Sequence, residues 1–213
     1  MKKEFDYMEW YNFEATEEDQ ALVDRVYAFE PYFKDMMFAS GTPVGELIKV
    51  NTKSPNEEEW LEEELDLPDE LTCAPYTRFK FVVAQTDAEC DGYFDKQAGV
   101  FCVSPESRNE DATILHEMIH LHEFVVNQQF MFYHDTLLWS LYSDLKNKIP
   151  ELDTIINEHA HILNENTLQI SGGLHDILFL LKSFDLDIKK GYSLGTVFGY
   201  GRVDDFKDYT YTV

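Results

Sequence analysis

The chain has 213 residues with 41 acidic against 17 basic side chains, a formal charge of -24, and 44% hydrophobic and 15% aromatic content. It is long and apolar enough to bury a core, which excludes a disordered chain, and its shortage of Lys and Arg excludes wrapping nucleic acid, whose phosphates bind mainly through those residues. No run of about 18 apolar residues predicts a membrane span, the start Met1-Lys2-Lys3-Glu4-Phe5-Asp6 lacks the apolar stretch of a signal peptide, and Cys73, Cys90 and Cys102 form no CxxC pair, so a reduced, cytoplasmic setting is expected.

In chain order, Thr16-Glu17-Glu18-Asp19 predicts a helix start, and Ala21, Leu22, Val26, Phe29 and Phe33 recur near helical spacing. Gly41-Thr42-Pro43 is a breaker, and 51–56 reads as a loop. The runs Glu57 to Glu59 and Glu62 to Glu64 predict solvated helix faces, with Trp60, Leu61 and Leu65 turned inward. Residues 78–85 and 99–104 are rich in strand formers, and Asp91-Gly92-Tyr93-Phe94-Asp95 between them reads as turn-rich. An edge strand beside a metal site could hold a peptide backbone by strand addition.

Residues 113–123 carry the chemistry. His116, Glu117 and His120 stand in the order H-E-x-x-H. In a helix the two imidazoles share one face and can grip one cation. Zinc suits them, because it accepts imidazole nitrogen and keeps a position open for water in catalytic sites. Glu117, about 100° round the helix, is placed to take a proton from that water. Asn109-Glu110-Asp111 offers a cap and an acidic first turn, and Ala112, Ile114, Leu115, Met118, Ile119 and Leu121 supply apolar faces without Gly or Pro. Glu123 shares the ligand face, where a supporting or exposed role fits better than a fourth ligand, which would close the open position.

The third ligand has several candidates. His134 is expected at the head of a helix running from Leu137 to Ile149, with Asp135 or Thr136 as cap and Pro150 as stop. Residues 150–164 read as a helix that offers Glu158 as the main rival; His159, His161, Glu165, His175 and Asp176 complete the field. Ser171-Gly172-Gly173 predicts a turn before a buried helix from Leu174 to Phe184. At its start, His175 and Asp176 read better as capping or surface residues than as site residues. Gly191, Gly195, Gly199 and Gly201 punctuate a tail of turns and short strands that lacks the Lys-Ser/Thr of a phosphate loop.

Asp91-Gly92-Tyr93, Val100 to Ser104, Leu115-His116-Glu117-Met118-Ile119-His120 and the following His134 together resemble the SprT-like zinc metallopeptidases. The similarity covers roughly residues 75–150. It implies His116, His120 and His134 as zinc ligands and Glu117 as the catalytic glutamate. Where that family has Gly after its third His and an aromatic residue four positions on, this chain has Asp135 and Leu138. The DNA-linked parts of the family have no counterpart in an acidic chain poor in cysteine.

The expected fold is α+β: a zincin-like, SprT-like core with a small sheet beside the HExxH helix and additional N- and C-terminal helices. Residues 1–70 are expected as an acidic, mainly helical extension packing on a catalytic domain of 71–213. The expected function is zinc-dependent peptide hydrolysis, with Zn2+ as cofactor and a peptide or protein substrate that the charge predicts to be basic. No nucleic-acid or membrane partner is expected. The rival reading is an inactive, acidic binding protein that keeps the peptidase fold and engages a basic partner.

Overall fold

The computed structural model describes residues 15–36, 79–86, 91–129, 131–159, 175–199 and 202–213, with the side chains of 125–129 and 131–136 outside that description. The expected breaker at 41–43, loop at 51–56, acidic helix faces at 57–64 and turn at 171–173 lie outside the described residues, as do His161 and Glu165.

Thr16 caps helix α1 (Glu17–Phe29) in a capping box: its hydroxyl accepts from the Asp19 amide while the Asp19 carboxylate accepts from the Thr16 amide. The Asp19 carboxylate also accepts from the Val83 amide at 2.7 Å, tying α1 to the sheet. A 3₁₀ turn, Glu30–Met36, continues the chain. Leu22, Val26, Phe29, Phe33 and Met36 enter the main core, each larger side chain contributing about 1.5–3 kcal/mol through burial.

Three short strands form one sheet in the order β1-β3-β2. Strands β1 (Lys80–Val83) and β3 (Val100–Val103) pair in parallel, while β2 (Gly92–Asp95) pairs antiparallel with β3. The stretch read as turn-rich is therefore a strand. Tyr93 and Phe94 supply its strand preference, and the turn falls just after it, where the Asp95 carboxylate accepts from the amides of Gln97 and Ala98.

Helix α2 (Asp111–Gln129) carries HExxH, and α3 (Met131–Lys146) follows after one residue. Helix α3 begins before the expected Leu137, because Phe132 and Tyr133 contain no breaker and extend it, so His134 lies within its first turn rather than ahead of it. Next come α4 (Leu152–Glu158), α5 (Ile177–Lys190) and the short α6 (Val203–Phe206). The tail thus contains turns and a short helix, with no strand among its described residues. Helix α5 packs on α2 and α3, and α2 packs on β2 and β3, so the motif helix lies between sheet and helices. The fold is α+β. Among the described residues no helix is long and apolar enough to cross a membrane.

Candidate metal centre

Helix α2 is buried on most sides. Ile114, Leu115, Met118, Ile119 and Leu121 are fully buried, and His116, Glu117, His120, His122 and Glu123 are buried beside them. The imidazoles of His116 and His120 stand 5.1 Å apart, centroid to centroid, as their one-turn spacing requires. The third histidine brought to them is His175, just ahead of α5: its ring lies 4.9 Å from that of His116 and 5.2 Å from that of His120. Its Nε2 is 3.1 Å from the Nε2 of His116. One nitrogen from each ring lies within 4.8 Å of the others, so the trio can hold a metal ion.

The local sequence explains this placement. Asp176 caps α5, accepting from the Phe179 amide at 2.9 Å, and that cap sets the exit angle of the preceding residue, His175. Phe179, one turn into α5, packs its ring against all three imidazoles at 4.4–4.8 Å. Capping therefore falls to Asp176 alone, and His175 faces the centre.

The His116 ring is held in a form that suits a ligand. His116 Nδ1 donates to the Val197 carbonyl at 2.9 Å, which leaves the Nε2 lone pair facing inward. Gly199, at φ 79°, passes close enough that an added Cβ would lie 3.4 Å from the same ring, and its positive φ favours glycine. His120 Nδ1 faces Glu123 at 4.0 Å, and His120 Nδ1 and Glu123 Oε1 are buried without a hydrogen-bond partner among the described residues. Burial lowers His116 to about 4, against hydrogen bonding to Val197 and Phe198. It also lowers His175 to about 3 and His120 well below the usual value, each with a contribution from neighbouring imidazole charge. Each of these shifts favours the neutral imidazole. Burial raises Glu123 well above the carboxylate range, with the Asp176 charge adding to the effect.

Glu117 packs against β2. Ser104 donates to the Asp91 carbonyl across the β2–β3 pair, and antiparallel alternation then points the amides of Gly92 and Phe94 away from β3. The Glu117 carboxyl accepts from the Phe94 amide there; burial raises it to about 8, a rise the Phe94 bond opposes. Gly92 leaves the space this requires: a Cβ would fall 3.0 Å from Glu117 Cγ and 3.1 Å from the Cys102 carbonyl. A cleft of about 300 Å³ opens over His116 and Glu117, bordered by Gly92, Val197 and the exposed carboxylates of Asp91 and Glu110.

The remaining candidates separate. Glu158 lies on the surface and accepts from the Tyr209 hydroxyl at 2.6 Å. His159 packs against Phe206 and Tyr209. The His134 side chain lies outside the described residues. Asp187, which sequence reasoning did not single out, is buried and accepts from the amides of Gly195 and Val197 at 2.8 and 2.9 Å. No protein-family model matches the chain, and no curated protein or solved structure matches it either.

Proposed function

We propose that the protein is a zinc-dependent hydrolase of the metallopeptidase type, with His116, His120 and His175 as the zinc-holding residues and Glu117 as the general base. The observation that carries the reading is the convergence of three imidazoles, His116 and His120 buried and His175 half-buried, beside a carboxyl that lines a cleft. Two nitrogens bound tetrahedrally to zinc at about 2.0–2.1 Å would lie about 3.3 Å apart, close to the 3.1 Å between the His116 and His175 Nε2 atoms. Two inward imidazole nitrogens need a proton or a cation between them, and a shared cation also explains the buried carboxyl of Glu123 behind His120. Zinc bound there would supply a Lewis acid and bring the pKa of a bound water toward neutrality.

The residues themselves divide the rest of the work. Glu117 takes a proton from the attacking water, holds it at a carboxylate oxygen and delivers it to the leaving amine. A nearby cation favours its ionised form, offsetting the burial that raises it. Strand β2 borders the cleft through Gly92, a few ångströms from Glu117, so an extended peptide bound there would lie beside that strand. Asp91 and Glu110 at the rim favour a cationic side chain, in keeping with a basic substrate. An edge strand against the HExxH helix supports a zincin-like, SprT-like core. The ligand set proposed here departs from that resemblance at its third member, His175 in place of His134.

A Glu117→Gln variant tests the reading. It should bind zinc as the parent does and lose at least about 100-fold in cleavage of an unstructured basic peptide such as protamine. Equal cleavage by the variant would overturn the role of Glu117. A parent that takes up no zinc would favour the rival, an acidic binder with a peptidase-like fold.

A further inference from the structure

We propose that Asp187 is a positioning residue for the metal centre: through Val197 it fixes the tautomer and orientation of His116. The inference rests on the metal-centre reading above. Asp187 sits in the C-terminal half of α5, on the same helix as Phe179 and fully buried. Its two carboxylate oxygens diverge onto one loop, Oδ2 accepting from the Gly195 amide at 2.8 Å and Oδ1 from the Val197 amide at 2.9 Å. Val197 is thus held on both sides of its own α-carbon, its N–H by Asp187 and its C=O by His116 Nδ1–H at 2.9 Å.

A carboxyl clamped on the amides of Gly195 and Val197 cannot shift without breaking two hydrogen bonds, so the Val197 carbonyl is presented as a fixed acceptor. A fixed acceptor selects the Nδ1–H form of His116 and leaves Nε2 for a cation. The usual arrangement places a carbonyl or carboxylate directly behind the ligand. In this chain the carbonyl belongs to a glycine-punctuated loop, which would drift without an anchor, and Asp187 supplies that anchor from a rigid helix. Asp187 does not line the cleft and reaches His116 through the loop at Val197.

The experiment uses the full chain as parent, Asp187→Asn and Asp187→Ala, with zinc affinity measured by chelator competition. The ¹⁵N signature of the His116 ring is recorded in the presence of chelator. Unfolding in denaturant, also with chelator, reports stability separately. The isosteric Asn keeps one acceptor oxygen and should lower zinc affinity about 10-fold, with Ala approaching about 100-fold. In both, the His116 ring should move from the Nδ1–H form toward a mixture of tautomers. A merely structural role would lower the denaturant midpoint and leave the tautomer unmoved. Folded variants that match the parent in both zinc affinity and tautomer would overturn the proposal. Failure of the parent itself to bind zinc would refute the metal-centre reading instead, and the tautomer signature would still decide whether Asp187 positions His116.

Discussion

Helix α5 carries two buried polar clusters that differ in how completely they are satisfied. Near its middle, Lys182 is wholly buried, yet its ammonium reaches the Tyr32 carbonyl, both oxygens of Asp35 and the Asp185 carboxylate at 2.7–2.9 Å. Lys189 adds a second cation on Asp185 at 2.6 Å. At the head of the same helix, His175 joins His116 and His120, and there His120 Nδ1 and Glu123 Oε1 are left without partners among the described residues. A buried donor or acceptor without a partner costs about 1–3 kcal/mol. The first cluster is closed on itself and fastens the Glu30–Met36 turn to the core. The second is incomplete among the described residues, and a buried polar group left in that way calls for a partner such as a ligand.

The largest effect that separates the two is expected at Lys182. Lys182→Met removes the cation and leaves Asp185 beside Asp35 with fewer counter-charges, a change of about 3–5 kcal/mol. Chemical denaturation should show that loss equally with zinc and with chelator. His175→Ala should behave in the opposite way. In chelator its cost should stay within about 1–2 kcal/mol, because what is removed is a desolvated imidazole, while zinc affinity should fall by more than about 100-fold, beyond the range of supporting residues. His134→Ala should leave zinc affinity within about threefold of the parent, the scatter such comparisons carry. A chelator titration of both histidine variants decides between the geometric ligand set and the one the family resemblance implies; retention by His175→Ala with loss by His134→Ala would reinstate the latter.

The same contrast marks what the sequence makes legible. The HExxH helix could be read because its signals are local: an acidic first turn at Asp111, apolar residues on several faces and no breaker. The α1 start could be read for the same reason, Thr16 and Asp19 forming their own capping box. Strand β2 was hidden because Asp91 and Gly92 look like turn residues. Gly92 is there for space, since a Cβ would crowd Glu117 across the sheet edge. His175 stands among the third-ligand candidates but reads from sequence as a cap or surface residue, because Asp176 carries a strong capping signal that accounts for the pair by itself. Its role depends on where the α5 N-terminus lands against α2, a long-range contact that no spacing rule encodes. Asp187 looked like one of the acidic residues common in this chain, and only the loop folded over it reveals its work.

Protonation gives an effect of intermediate size. In the protein without a cation, Glu117 is raised from 4.5 to about 8. The stability tied to its bound proton is full below the ordinary carboxylate value and lost as pH rises through about 8. His116 is lowered from 6.5 to about 4, so its contribution is present above 6.5 and lost as pH falls through about 4. A cation needs neutral imidazoles and favours an ionised Glu117, so its binding releases protons across that window. The gain in Tm on adding zinc should therefore grow from about pH 4 to about pH 8 and then level off. For the Lys182 cluster no such slope is expected, since zinc does not touch it. A zinc-induced gain that is flat across the window would break the link between the imidazoles, Glu117 and the cation.

The smallest expected effect is the most selective. Gly92→Ala places a methyl 3.0 Å from Glu117 Cγ, 3.2 Å from its Oε1 and 3.1 Å from the Cys102 carbonyl. The Cys102 carbonyl is backbone in the central strand and cannot retreat far, so the Glu117 side chain must yield. Its carboxyl then loses the Phe94 amide and its place at the cleft, while His116, His120 and His175 keep theirs. Stability should fall by about 1 kcal/mol, at the low end of overpacking costs, and zinc affinity should hold. Hydrolysis of a basic peptide should drop by about 10-fold through kcat, as expected when a general base is displaced by a fraction of an ångström. A variant with unchanged kcat and weakened zinc would reverse the assignment, because it would make the Gly92 gap a requirement of the imidazole cluster rather than of the carboxyl that packs against β2.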